Sequence, residues 1–292
     1  MSVLYLVATP IGNLEDMTMR GVRVLREAPL IAAEDTRTAR RLLDHLDLRG
    51  KRVTSYNDHN KRAKTPAIIE ALDEGDVALV SDAGMPGISD PGHDLVLAAI
   101  EAGHHVVPVP GASAVLAAVA ASGLASRRFH YLGFLPRTSG ARRKVLVDAA
   151  ASGDTLVLFE SPHRVRATLE DARTALGERR VAVCRELTKL HEEIWRGSIS
   201  DAIKHFTAPR GEFTIVVEGI EQKQSRRGQA RATGASESNG AVDTEIAKAI
   251  GSLKRKKVTA KDGVATLAER FGLPRRDAYR LWHLRPVQAD DS

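Results

Sequence analysis

The chain has 292 residues, 43% of them hydrophobic and 27% charged, which suffices for a sizeable core and for two or three domains. Its one cysteine, Cys184, excludes an internal disulfide and a cysteine-rich metal site. No apolar run reaches the roughly 20 residues of a membrane-spanning helix, and the first residues lack the basic start of a signal peptide. We therefore expect a cytoplasmic protein that does not associate with membranes.

The net charge of +6 is concentrated at the C-terminal end. Residues 1–220 carry 28 basic and 28 acidic side chains, whereas residues 221–292 carry 15 basic and 9 acidic ones. Such an asymmetry indicates a polyanionic partner such as nucleic acid. A tail that merely improves solubility would give the same pattern.

Apolar, β-branched runs alternate with helical patterns through the first 220 residues. The predicted strands are Val3–Ala8, Leu30–Ala33, Val77–Ser81, His105–Val109, Thr155–Phe159, Val181–Cys184 and Glu212–Glu218. The predicted helices between them are Pro66–Leu72, Asp94–Ala102, Ala112–Ala121 and Arg164–Leu176. This alternation predicts an α/β fold with a mostly parallel sheet that is covered on both faces.

The composition also predicts domain boundaries. We expect one α/β domain over residues 1–114 and a second over residues 115–220. Residues 221–241 are rich in Gln, Ser, Gly, Ala and Arg, a composition typical of a flexible linker. Helical periodicity returns over residues 242–286 and predicts a small C-terminal helical domain.

The last segment predicts two short helices with basic edges. Gly272 and Pro274 separate them, and the second helix is predicted over Arg275–Trp282. The first carries an apolar stripe at Val264, Leu267, Ala268 and Phe271. The pattern favours a helix-turn-helix-like nucleic-acid-binding unit, and a packing or dimerisation module is the alternative.

Three loops rich in glycine or proline follow predicted strands in the first half. They are ATPIGNL (8–14), SDAGMPGISDPG (81–92) and the PGAS turn that opens the helix after His105–Val109. Ligands of open α/β sheets gather at the carboxyl ends of strands. Asp82 is placed to accept hydrogen bonds from a ribose or an amine, and Ser113 to cap a helix or face a ligand. Ordinary turns and caps remain the alternative for each loop.

Four more clusters follow strands in the second half. They are FLPR (134–137), FESPHR (159–164), RELTKLHEE (185–193) and GEFTIVVEG (211–219). His163 and His191 lack the spacing of metal ligands, so we predict no metal site.

Taken in order, TPIGNL, AEDTR (33–37), SDAGMPGISDPG, VPGAS, LGFLPR, FESPHR, RELTK and GEFTIVVEG resemble the tetrapyrrole-methylase superfamily, the class III methyltransferases. Within it, they are similar to enzymes that methylate a cytidine 2′-oxygen in 16S ribosomal RNA of the small ribosomal subunit. The resemblance covers residues 3–219. It implies two α/β domains with S-adenosylmethionine in the cleft between them, and a homodimer.

The resemblance also implies which residues form the cofactor pocket. Phe159 would close one side, and Leu187 with the Phe213–Thr214 backbone would lie near the adenine. The remaining residues would be Pro10, Asp82, Met85, Ser113 and Ala114. The first loop departs from the GxGPGD-like stretch of the small-molecule methylases. This departure argues against a corrin or porphyrin substrate. It also argues against a contact between Gly12 and the ligand.

A sulfonium methyl group is already activated, so catalysis needs mainly alignment with the attacking oxygen. A ribose hydroxyl is a weak nucleophile and benefits from a base. The candidates are Glu34, Asp35, Glu160 and Lys189, and the sequence does not choose among them. For RNA contact the cleft side offers Arg37, Arg137, Arg142, Arg143, Lys144 and Arg164.

Two other functions fit the same residues. One is methylation of a tetrapyrrole, another small molecule or a protein, which leaves the basic tail unexplained. The other is a regulator that binds nucleic acid through its helical pair and senses a metabolite through its α/β body.

Overall fold

The computed structural model describes residues 2–220, 246, 249–256, 258–271 and 273–283. The chain divides into two compact units between residues 222 and 223. The predicted linker and Gly272 lie outside the described residues. Within the described ranges, no helix combines the length and apolar character that crossing a bilayer requires.

The first sheet of the first unit is wholly parallel. Its five strands, in the order β3-β2-β4-β1-β5, are β1 (Val3–Val7), β2 (Leu30–Ala33), β3 (Arg52–Ser55), β4 (Val77–Val80) and β5 (His105–Val109). A short 3-10 helix at Leu14–Asp16 follows β1. The connecting helices are α1 (Met19–Glu27), α2 (Thr36–His45), α3 (Lys61–Glu74) and α4 (His93–Glu101).

Helices cover both faces of this sheet. Ile31 and Val80 point to the face that α1 and α2 cover, whereas their neighbours Leu30 and Leu79 point to the face that α3 and α4 cover. Successive residues of a strand face opposite sides of the sheet, so the residues on both faces of each strand must be apolar. This is why β2 and β4 appear in the sequence as unbroken apolar runs.

The second sheet has the order β6-β7-β10-β8-β9. Its strands are β6 (Phe129–Phe134), β7 (Thr155–Glu160), β8 (Arg180–Arg185), β9 (Glu193–Ser198) and β10 (Phe213–Val217). Helices α6 (Ser139–Ala150), α7 (Val165–Leu176) and α8 (Ile199–His205) pack on one face, and α5 (Ala114–Ser122) packs on the other.

The second sheet is mixed, so the expectation of a mostly parallel sheet is wrong for it. Only β6 and β7 are parallel, and β10 runs antiparallel to both of its neighbours. The short loop 186–192 joins β8 directly to β9, and a loop of that length cannot hold the crossover that a parallel pair needs.

The three strands absent from the sequence prediction are β3, β6 and β9. All three lie at an edge of their sheet. Edge strands are partly solvated, and their mixed sequences, such as RVTS in β3, carry no continuous apolar run.

The second unit contains the predicted helical pair. Helices α9 (Ala260–Phe271) and α10 (Arg275–His283) pack together, and residues 249–255 are also helical. The small core of this unit consists of Ala249, Val264, Leu267, Ala278 and Trp282. The predicted apolar stripe therefore faces the core, as its spacing indicated.

Gly263 gives the first testable prediction, because it lies against the buried Trp282 ring. Replacing a helical glycine by alanine normally stabilises a protein by about 0.5–1 kcal/mol. Here a Cβ atom would lie 2.3 Å from ring carbons, so we expect Gly263→Ala to destabilise the second unit by about 1–3 kcal/mol. The measurement is urea unfolding followed by Trp282 fluorescence in a Trp195→Phe background.

Gly251→Ala is the matched control. Among the described residues, its added Cβ meets just the Arg255 Nη1 atom, at 3.8 Å, so the usual stabilisation should appear. If both substitutions shift the urea midpoint equally, close packing of Gly263 on the indole does not determine the effect of Gly263→Ala.

Candidate functional site

A pocket of about 540 Å³ lies where the loops after the first sheet meet one end of the second sheet. The first sheet and the start of α5 contribute Ile11, residues 83–85 and 88–90, and residues 113–116. The second sheet contributes Tyr131, Phe134, residues 159–162, Cys184, Leu187 and residues 212–214. Because β10 is antiparallel to β7 and β8, its start lies beside their ends and completes this wall.

The wall from the first sheet is held by a bridge between the exits of β1 and β4. The Thr9 and Gly84 backbones exchange two hydrogen bonds, of 2.9 and 3.0 Å, and the Thr9 hydroxyl donates to the Ser81 carbonyl at 3.1 Å. Pro10 and Asp82 lie outside the large pocket and line a smaller cavity of about 280 Å³. The bridged segments thus contribute to two separate cavities.

A hydrogen bond joins the two walls directly. The hydroxyls of Ser89, in the loop after β4, and Tyr131, in β6, are 2.6 Å apart. Ser89 has a φ of 62°, a conformation uncommon for residues other than glycine and one that often accompanies function. The Tyr131 ring also packs edge-on against Phe159, with ring centres 5.3 Å apart.

At Gly12 the backbone of the first wall passes close to Thr188 and Lys189 of the second wall. A Cβ atom on Gly12 would lie 2.3 Å from the Lys189 Cγ and 2.9 Å from the Thr188 Oγ1. A side chain at this position would therefore clash with the turn after β8. Close backbone approach explains this glycine, which is not among the pocket-lining residues.

Most residues of the predicted cofactor set line the large pocket. These are Met85, Ser113, Ala114, Phe159, Leu187, Phe213 and Thr214, whereas Pro10 and Asp82 do not reach it. Ser113 also caps α5, since its hydroxyl accepts the Leu116 N–H at 3.4 Å. The cofactor role of the whole set stays a prediction.

Two of the predicted bases are engaged in structural contacts. Glu160 lines the pocket, but its buried carboxylate accepts the Thr168 hydroxyl at 2.7 Å and the Ser161 N–H at 2.8 Å, and it pairs with Arg164 at 3.5 Å. Asp35 caps α2, and hydrogen bonds from the Arg37 guanidinium and backbone lower its pKa to about 2. Both contacts favour a structural role.

The other two predicted bases lie outside the pocket lining. Burial acts to lower the pKa of Lys189, but Glu212 and Glu186, at 2.8 and 2.9 Å, outweigh it and raise that pKa, so the ammonium keeps its proton. Burial raises the pKa of Glu34, whose carboxylate accepts the Asp82 N–H at 3.3 Å.

The pocket contains two carboxylates that the sequence did not single out, Glu212 and Asp90. Asp90 lines the pocket and is half-buried, and this burial, with the negative charge of Glu34, raises its pKa to about 6. The Ser81 hydroxyl lowers the pKa slightly and the charge of Asp82 raises it. The SDAGMPGISDPG motif holds both aspartates, and only the loop conformation shows that the second one enters the pocket.

Two of the cations predicted to contact RNA are in fact structural, which corrects that expectation. Arg142 is buried and its Nε donates to Asp171 at 2.7 Å. Arg164 donates to the Leu135 and Pro136 carbonyls at 2.7 and 3.0 Å. By contrast Arg137, Arg143 and Lys144 are exposed.

In the part of the chain that the structure describes, no group of three or more His, Cys, Asp or Glu side chains is arranged to hold a metal ion.

Comparison with known proteins assigns this arrangement to a family. The sequence model of the Tetrapyrrole (Corrin/Porphyrin) Methylases matches residues 3–203. The chain belongs to this family. It is therefore a methyltransferase, and the resemblance of its ordered motifs is confirmed.

Two relatives match almost end to end, and both are named Ribosomal RNA small subunit methyltransferase I. The protein of Halalkalibacterium halodurans is 44% identical, over 96% of this chain and 94% of its own. That of Synechocystis sp. is 45% identical, over 96% and 97% respectively.

Solved structures support the fold alone. Diphthine synthase matches with a TM-score of 0.59 and 17% identity, over 74% of this chain and 90% of its own. Uroporphyrin III C-methyltransferase from Thermus thermophilus matches with a TM-score of 0.55 and 17% identity, over 74% and 97%. The predicted α/β fold with two sheets is confirmed, and the domain boundary near residue 114 stays a prediction.

The raised pKa of Asp90 predicts a pH-dependent stability. The folded carboxyl has a pKa of about 6, above its ordinary 3.8, so the penalty on folding grows between about pH 4 and pH 6 and is complete above pH 6. Allowing for partial solvation, we expect Asp90→Asn to raise the free energy of unfolding by about 1 kcal/mol at pH 8, which corresponds to about 2–4 °C in Tm.

Calorimetric melting at pH 8 and pH 4.5 checks this. Asp94→Asn is the contrast, because Lys61 lowers the pKa of that exposed carboxyl and no gain should follow at pH 8. A gain for Asp90→Asn that is equal at both pH values would rule out charge burial as its cause.

Proposed function

We propose that this methyltransferase transfers the methyl group of S-adenosylmethionine to the 2′-oxygen of a cytidine ribose in 16S ribosomal RNA. The observation that carries the proposal is the pocket between the ends of two sheets, in a chain 44–45% identical to relatives named for the small-subunit RNA. A ribosomal substrate also places the activity in the cytoplasm.

The pocket fits the cofactor in size and chemistry. Its volume lies within the range of about 300–1,000 Å³ common for small-molecule sites. Phe159 and Leu187 offer apolar contact to an adenine. When bound, the cofactor supplies a methyl group already activated by the positive sulfur.

The residues of the chain then act mainly through alignment. The Thr9–Gly84 bridge holds the wall from the first sheet together, and the Ser89–Tyr131 hydrogen bond joins that wall to the second sheet. The aromatic rings of Tyr131, Phe134 and Phe159 exclude water from one side of the pocket. Fixed placement of two reactants lowers the barrier of a displacement whose leaving group is already good.

The second unit supplies charges suited to an RNA backbone. Its exposed cations include Arg255, Lys256, Lys261, Arg275 and Arg276. Contacts of such groups with phosphates supply sequence-independent affinity that falls with salt. The proposal assigns RNA binding in part to this unit.

The homodimer implied by the resemblance is part of the same proposal. Large apolar side chains lie exposed near the pocket, namely Ile88, Leu116 and Phe134. Exposed apolar groups of this kind often mark an association surface. Analytical ultracentrifugation measures the oligomeric state directly.

Cofactor binding can be tested by filling the pocket. Ala114 lines it and is half-buried, so Ala114→Leu adds volume where the cofactor is proposed to lie. We expect the calorimetric Kd for S-adenosylmethionine to rise at least about tenfold, equivalent to about 1.4 kcal/mol. Ala120→Leu, at an exposed position of the same helix, should bind like wild type, and equal affinities for the two variants would contradict the assigned site.

Methyl transfer tests the function itself. Tritiated S-adenosylmethionine is incubated with small ribosomal subunits, naked 16S RNA, DNA, a tetrapyrrole and protein. We expect label in the ribosomal RNA, in a 2′-O-methylated cytidine whose 3′ linkage resists alkali. Label on a base, a tetrapyrrole or a protein would refute the proposal, and binding of DNA without any transfer would favour a regulator.

A charge variant shows whether the second unit contributes. Arg255→Gln, Lys256→Gln and Lys261→Gln together should leave cofactor affinity unchanged and weaken subunit binding. The slope of log affinity against log salt should fall in magnitude by up to about 2–3. An unchanged slope would remove this unit from RNA contact.

A further inference from the structure

Three carboxylates line the large pocket within the described residues, and two of them are engaged. Glu160 is saturated by Thr168, Ser161 and Arg164. Glu212 pairs with Lys189 at 2.8 Å, and its side chain is 79% exposed. The third, Asp90, has no cationic partner in the part of the chain that the structure describes. It is the pocket carboxylate best able to take up a proton.

The backbone holds Asp90 in a defined place. Its neighbour Ser89 adopts a left-handed conformation and meets the Tyr131 hydroxyl at 2.6 Å on the opposite wall. Asp90 is therefore next to a contact that joins the two walls of the pocket. Reaction geometry requires this kind of fixed placement.

The negative charges around Asp90 favour its protonated form. They are Glu34 at the end of β2 and Asp82 after β4. The Ser81 hydroxyl has the opposite effect, because its hydrogen bond stabilises the carboxylate, and Tyr131 of β6 faces the same space. Burial and like charge together bring the pKa of Asp90 to about 6. A base whose pKa lies near the working pH is deprotonated at neutral pH and still takes a proton readily.

We propose that Asp90 is the general base of the methyl transfer, accepting the proton of the ribose 2′-hydroxyl as that oxygen attacks the methyl carbon. This proposal rests on the proposed function. The oxygen–carbon bond forms with an oxygen electron pair, and the carbon–sulfur bond breaks with its pair going to sulfur. The hydroxyl proton passes to the Asp90 carboxylate and then to water. The products are a methyl ether, neutral S-adenosylhomocysteine and a regenerated carboxylate.

The two acids near Asp90 make hydrogen bonds of their own. Glu34 accepts the Asp82 N–H at 3.3 Å, and Asp82 accepts the Asp35 N–H at 3.1 Å. Both act on Asp90 through their charge and lie outside the lining of the large pocket.

The test compares the full-length wild type, Asp90→Asn and the control Asp94→Asn on unmethylated small subunits. Asp94 pairs with Lys61 at 2.9 Å and does not line the pocket. Single-turnover transfer is measured from pH 5 to 9, the Kd for S-adenosylmethionine by calorimetry, and the carboxyl titration by NMR of protein labelled with ¹³C at the aspartate Cγ.

We expect Asp90→Asn to transfer at least about 100-fold more slowly at pH 8, within the range of losses typical for a general base. Its cofactor Kd should stay within about threefold of wild type. The wild-type rate should fall below pH 6. The residual rate of Asp90→Asn should not show this decrease. The variant should also lack a carboxyl resonance that titrates near pH 6. Asp94→Asn should match wild type throughout.

Two results would overturn the assignment. Transfer by Asp90→Asn within threefold of wild type would show that no proton passes through this carboxylate. A parallel loss of cofactor affinity and rate would make Asp90 a cofactor ligand instead. Failure of the proposed function looks different, because the wild type itself would then place no label on a ribose in the same assay.

Discussion

The site depends on how the loop after β4 is held between two sheets. The Thr9–Gly84 bridge fixes the start of this loop against the exit of β1, and the Ser89–Tyr131 hydrogen bond fixes its far end to β6. Neither sheet encloses the pocket alone, because its lining comes from both. Two contacts join the walls, namely the Ser89–Tyr131 hydrogen bond and the close passage of Gly12 past Lys189.

The same loop concentrates negative charge at one edge of the first sheet. Glu34, Asp82 and Asp90 influence one another, and burial raises the pKa of all three. Only Asp90 faces the large pocket. Elsewhere the acids of the site are neutralised by nearby cations, as Asp35 is by Arg37 and Glu212 by Lys189. A pocket with one uncompensated carboxylate suits a reaction that releases a proton.

Much of the architecture was predictable because buried parallel strands need apolar residues on both faces. The apolar runs at Leu30–Ala33 and Val77–Val80 identified central strands, whereas β3, β6 and β9 at the sheet edges have mixed sequences that do not identify them as strands. The motifs also identified most residues that line the pocket. They did not distinguish Asp82 from Asp90, since the two differ in the direction that a folded loop gives them.

The sequence by itself determined the α/β class, the strand-end motifs, the family resemblance and the basic helical pair, because each follows from local composition and spacing. Only the tertiary structure decided that Arg142 and Glu160 are buried partners in internal contacts and that Asp90 is an available acid. Partners of a side chain come from distant segments, as Tyr131 does for Ser89, and the order of residues along the chain does not encode those distances.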